Sequence, residues 1–242
     1  MGIQYLFLLL ALIAEIIGTI GGFGSSVFFV PLGNFYFDFY SVLGITALFH
    51  LSSNISKIFL FKKGLNKKLI LYIGIPSVLF VSVGGLLSKH ISTLALEIAL
   101  GVFLIVLSTL FLIVKRLEVK PTKINSILGG TLSGFSAGML GTGGAIRGLT
   151  MAAFNLEKSV FIATSALIDL MIDATRTVVY FNNGYIHEHD LIYIPFLLVI
   201  GLVGTYIGKR ILHWIPQENF KRLSLILVLI IGIISILRFV VD

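Results

Sequence analysis

The sequence predicts an all-α polytopic membrane protein made of two inverted repeats. Three observations predict it: the hydropathy, an internal offset of 119 to 120 residues, and the distribution of Lys and Arg. Of 242 residues, 57% are hydrophobic and 12% are charged, about half the charged share of a soluble domain. Mean hydropathy is +1.05, which makes lipid the main solvent. The net charge of +7 could suit nucleic acid. The basic residues instead fall in short loops between apolar runs, as topology signals do, so no nucleic-acid partner is expected. There is no cysteine, which excludes disulfides, thiolate metal sites and cysteine nucleophiles. The first apolar run lacks a basic lead-in and a small-residue cleavage site, so it reads as part of the membrane body.

Eight hydrophobic blocks fall at roughly 3–32, 42–61, 69–87, 94–114, 124–154, 160–181, 191–207 and 223–241. Six have about the 17 to 22 residues of a single bilayer crossing. The first and fifth are near 30 residues, about 45 Å as unbroken helix, which exceeds the hydrocarbon core. Both are interrupted by glycine, in Gly18-Thr-Ile-Gly-Gly-Phe-Gly24 and Gly138-Met-Leu-Gly-Thr-Gly-Gly144. Glycine tolerates the conformations a break needs, so both blocks are expected to be broken helices or hairpins.

The halves, 1–119 and 120–242, match in order. Thr46-Ala-Leu-Phe-His-Leu51 lies over Ser165-Ala-Leu-Ile-Asp-Leu170, Pro76 over Pro195 and Gly85 over Gly204. Ordered matches of this kind indicate a duplication. Charge then separates parallel from inverted halves. If every block crosses once, eight loop Lys and Arg lie on one side and six on the other. If the first and fifth blocks fold back, thirteen lie on one side and only Lys89 on the other. The second arrangement obeys the positive-inside rule. The basic loop around Lys62 and Lys68 then faces the cytoplasm, and its counterpart around Asn183 faces out.

Polar groups within apolar blocks are costly in lipid and mark cavities or partners. The two glycine breaks offer free N–H groups and helix N-terminal dipoles to an anion. The candidate binding residues are Gly21, Gly22, Gly24 and Ser25 from one break, with Gly141, Thr142, Gly143 and Gly144 from the other. Close helix packing through small residues is the alternative. Arg147 follows the second break, and its repeat counterpart is Val27. It is read as an unpaired guanidinium able to grip an oxyanion, with snorkelling or a fixed ion pair as alternatives.

The sixth block places Asp169, Asp173 and Arg176 along one helix face, over His50, Asn54 and Lys57 in the second. This polar stripe reads as an anion and proton site or as a charge-neutral structural network. His50, Asn54, Asp173 and Arg176 complete the candidate set. Glu15 is a weaker proton carrier, and Glu97 lies near a helix end. The tract His187-Glu-His189-Asp190 reads as a solvated surface loop, so no metal site and no cofactor are expected. No enzyme motif occurs.

The pattern Gly18-Thr-Ile-Gly-Gly-Phe-Gly-Ser-Ser-Val-Phe-Phe-Val-Pro-Leu32, with Gly138-Met-Leu-Gly-Thr-Gly-Gly-Ala145 before Ala163-Thr-Ser165, resembles the TauE/SafE sulfite exporter family, also called a toluene-sulfonate uptake permease family. The resemblance covers nearly the whole chain. It implies transport of sulfite or organosulfonates across the cytoplasmic membrane. The sequence departs from the pattern at Met151, which stands where Pro31 stands in the first half, and at Phe23. The resulting expectation is a multi-pass transporter working by alternating access, with proton coupling as an option and room for a homodimer. A passive anion channel and a non-transporting binding or assembly subunit are the rivals.

Overall fold

A computed structural model describes residues 2–21, 24–61, 64–114, 119–212 and 217–241. Helices run in the order α1 (Gly2–Gly21), α2 (Ser26–Gly33), α3 (Phe39–Leu60), α4 (Lys67–Ser88) and α5 (Thr93–Ile113). The same order recurs as α6 (Lys123–Leu140), α7 (Gly144–Ala152), α8 (Lys158–Asn182), α9 (Ile194–Ile211) and α10 (Gln217–Val241). No strand occurs among the described residues. The loop lysines Lys62, Lys63 and Lys115, with Arg116, lie outside the described residues.

Local chemistry sets the helix starts. Asp38 accepts the Tyr40 and Ser41 amides at 3.1 Å to cap α3. Asn66, Ser92 and Thr122 cap α4, α5 and α6 in the same way, each satisfying a donor that has no intrahelical partner. Pro76 and Pro195 stand at equivalent places near an irregular turn. A π turn at Ile70–Gly74 precedes Pro76 in α4, and a 3₁₀ turn at Glu188–Tyr193 precedes α9 and Pro195. Proline has no N–H for the preceding turn, so the helical register shifts there.

Both long blocks are hairpins. The Cα of Ser25 would lie 2.3 Å from a β-carbon on Gly18, and Phe7 packs on Phe29 and Phe37 with ring centroids 5.7 and 4.9 Å apart. The chain after the first break thus runs back along α1. In the second hairpin Ser133 Oγ donates to the Gly143 carbonyl at 2.8 Å, and Thr150 covers Gly129. Each half is therefore one hairpin followed by three long helices.

Helix packing follows the repeat: α4 lies on α6 as α9 lies on α1, while α3 pairs with α8 and α5 with α10. On α6, Gly130, Gly134 and Gly138 meet the backbone of Ile73, Ser77 and Val81 directly. Small residues four apart let two backbones touch in lipid, where shape and dispersion hold helices together. Gly138, read from the sequence as the start of the break, belongs to this packing seam inside α6.

Among the described residues, α3, α4, α5 and Glu188–Ile211 are long and apolar enough to cross a membrane. The most hydropathic of them, α5, is 28% buried and faces outward, whereas the least hydropathic, α3, is 72% buried. Burial of α3 shields its polar groups His50, Asn54 and Lys57 from lipid.

The ends of the bundle are distinct. At one, Tyr40 stacks on Tyr185 at 4.3 Å and donates to the Ile91 carbonyl at 2.7 Å. Burial raises the Tyr185 hydroxyl above the usual tyrosine value, with Ser88 opposing. Partial burial pushes the Asp38 carboxyl up, but hydrogen bonds from Ser41 and Tyr40 and nearby His187 outweigh it and hold it low. At the opposite end, Lys209 Nζ donates to the Leu60 carbonyl at 2.6 Å, and the Asn66 amide to Thr164 Oγ1 at 3.0 Å. The 22 residues of α3 connect the two ends, a distance of about 33 Å at helical rise.

Candidate functional site

The hairpin turns meet inside the bundle. Gly24 has φ +83° and Gly141 φ +75°, the left-handed region that glycine enters without a steric penalty. After each turn a short helix begins, α2 behind Ser25 and α7 behind Gly143, and neither start has a side-chain cap. Ser26 Oγ and Thr142 Oγ1, one from each turn, are 3.1 Å apart. Beside them α3 presents His50 and Asn54, and α8 presents Asp173 and Arg176. These groups, the two turns and Arg147 surround one buried cavity of about 20 Å³. That is the scale of a single water.

The charges around it balance. Glu15 pairs with Lys57 at 2.8 Å, Asp173 with Arg176 at 2.8 Å, and Asp169 with Arg147. Glu15 is fully buried and also accepts hydrogen bonds from Thr19, Ser25 and Thr205. Asn54 Nδ2 donates to Asp173 at 2.7 Å. Paired charges are what a low-dielectric interior allows, because removing either partner strands the other.

Arg176 reaches both hairpins' surroundings through three partners, the first being Asp173. One of its nitrogens donates to the Gly141 carbonyl at 2.8 Å, and another lies 3.4 Å from His50 Nδ1. His50 Nε2 in turn lies 3.0 Å from Ser25 Oγ. The Arg176–His50–Ser25 contacts thus bridge the two hairpin turns. Arg176 Nε is buried and has no hydrogen-bond partner, a rare condition that calls for a ligand or water.

Most of the sequence-selected residues come together here. Gly24 and Ser25 line the cavity from the first turn, and Gly141, Gly143 and Gly144 from the second. His50, Asn54, Arg147, Asp173 and Arg176 supply the side chains. Thr142 touches Ser26 rather than lining the space. Gly21 ends α1 and lies apart from the cavity, and Gly22 lies outside the described residues.

Arg147 requires a correction. It is not unpaired: its guanidinium donates to Asp169 and, through Nε, to Ser165 Oγ at 3.1 Å. A guanidinium that is 1% exposed needs a counter-ion, and α8 supplies one from 22 positions away. The structure also brings Glu15 into this network. Its signal was a carboxylate in an apolar block, four residues before Thr19. The ion pair with Lys57 is a contact through space that spacing does not reveal.

Comparisons with known proteins agree with this architecture. The model of the sulfite exporter TauE/SafE family matches residues 7–234. A protein of Methanocaldococcus jannaschii named as a probable membrane transporter is 26% identical, over 96% of this chain and 93% of its own length. No solved structure matches.

Proposed function

The chain belongs to the sulfite exporter TauE/SafE family, and on that premise we propose that it carries small sulfur oxyanions, sulfite or organosulfonates, across the cytoplasmic membrane. The observation that supports this most is the partnerless Nε–H of Arg176 beside two uncapped helix starts. Planar guanidinium donors and helix N-termini both suit oxyanions.

Charge balance suggests the coupling. Three cations face three carboxylates around the cavity, so an added anion leaves uncompensated charge in a region where such charge is costly. A proton on Asp169 or Asp173 restores the balance. It also releases Arg147 or Arg176 to hold the anion. His50, in contact with Ser25 and Arg176, adds a titratable imidazole to this network.

The hairpins serve as the gates. A hairpin and three crossings per half make an odd number of crossings, so the halves 1–119 and 120–242 face opposite ways and each turn enters from its own side. The turns meet at Ser26 and Thr142 beside the cavity, and its small volume favours alternating access over an open channel.

The test is uptake of labelled sulfite and aryl sulfonates by liposomes containing the purified protein. The proposal expects saturable uptake that increases with an inward proton gradient. Linear flux indifferent to that gradient would indicate a channel. No flux of any anion would leave a binding or assembly role.

A further inference from the structure

We infer that His187, His189 and Asp190 form a binding site for one divalent transition-metal ion of the zinc class, at the Tyr40 end of the bundle. The site is separate from the central cavity. Asp190 belongs to the 3₁₀ turn before α9 and is 2% exposed. Its two oxygens face different imidazoles: Oδ2 lies 3.3 Å from His187 Nδ1, and Oδ1 lies 3.1 Å from His189 Nε2. The rings stack at 5.3 Å with their planes 10° apart, which holds both nitrogens over the one carboxylate.

The second observation is Asp190 Oδ1 itself. It is buried and makes no hydrogen bond. His189 Nε2 lies 3.1 Å away but makes no hydrogen bond to it; a buried carboxylate oxygen left so is costly, and a metal ion would satisfy it. The donor atoms of the three residues lie within 4.8 Å of one another. Tetrahedral zinc, with bonds of about 2.0 to 2.2 Å, needs its ligands roughly 3.3 Å apart. The site therefore has only to contract, and the His189 side chain is 73% exposed and free to move inward.

Ser41 Oγ lies 2.7 Å from His187 Nδ1 and donates to Asp38 at 2.6 Å. Metal binding exchanges the Ser41–His187 hydrogen bond for a metal–nitrogen bond, while Asp38 keeps Ser41 in place. Two imidazoles and a carboxylate select zinc, nickel or copper over magnesium. The sequence alone pointed to a solvated loop, because it does not reveal that Asp190 is buried.

The test is a Zn²⁺ titration of the tag-free, full-length protein in detergent, read by calorimetry and thermal shift. One Zn²⁺ per chain is expected, with a rise in melting temperature that Mg²⁺ does not produce. His189→Ala should weaken Zn²⁺ binding at least about tenfold, while His90→Ala should leave it unchanged. Asp190→Asn should act like His189→Ala. If Asp190→Asn fails to fold, the exposed His189 carries the test alone. Absence of Zn²⁺ binding, or equal affinity in His189→Ala, would show a hydrogen-bonded histidine pair and overturn the inference.

Discussion

Ser26 and Thr142 touch through their hydroxyls at 3.1 Å although 116 residues separate them. Each follows the left-handed glycine of its own hairpin, Gly24 or Gly141. The contact therefore joins the two halves where both backbones break. The buried charges lie around it, and in the mechanism proposed above the cavity opens when one turn withdraws from the other.

Arg147 is tied to Asp169, so its substitution reports on two things that must be separated. Arg147→Met alone strands a largely buried carboxylate, a loss of about 3 to 5 kcal/mol in such cases. Adding Asp169→Asn should return most of the stability, measured by thermal unfolding in detergent. Sulfite binding should remain at least about tenfold weaker in the double variant, since a hydrogen bond to a charged group contributes roughly 1.5 to 3 kcal/mol. Wild-type affinity in the double variant would make Arg147 a counter-ion and nothing more.

The two left-handed glycines differ in the space around them. A β-carbon on Gly24 meets only Ser26 Oγ at 3.8 Å and the Gly144 Cα at 3.9 Å. On Gly141 it meets Leu43 at 2.7 Å and Val30 at 3.1 Å. Gly24→Ala should therefore cost the backbone term alone, about 1 to 2 kcal/mol. Gly141→Ala should add overpacking of roughly 1 to 3 kcal/mol. Denaturation of the two variants side by side should give that order, and the reverse order would count against the geometry of the turns.

Opposed halves predict which face each loop occupies. Leu65, in the loop before α4, and Glu188, which begins the 3₁₀ turn before α9, are exposed at opposite ends of the bundle, and the chain has no cysteine to interfere. In intact cells, a membrane-impermeant maleimide should label Glu188→Cys. Leu65→Cys should react only after permeabilisation. Labelling of both from outside would contradict the inverted arrangement.

Much of this was legible in the sequence because membrane architecture has a strong local signal. Apolar length located the helices, and glycine marked both breaks. The 119-residue offset aligned His50, Asn54 and Lys57 with Asp169, Asp173 and Arg176, which α3 and α8 then bring face to face. Contacts between distant segments were not legible. Glu15 with Lys57, and Arg147 with Asp169, are chosen by how the hairpins pack against α3 and α8. Gly138 illustrates the same limit: in the sequence it joins the glycine break, but in the fold it seats α6 on α4.

The most direct test of the central claim is sulfite uptake by liposomes carrying Ser26→Cys/Thr142→Cys, compared before and after reduction. Oxidation should link the two turns and stop uptake, and a reductant should restore it. Either single variant should be unaffected by oxidant. Undiminished uptake with the cross-link formed would show that the turns do not part during transport and that the hairpins are not the gates.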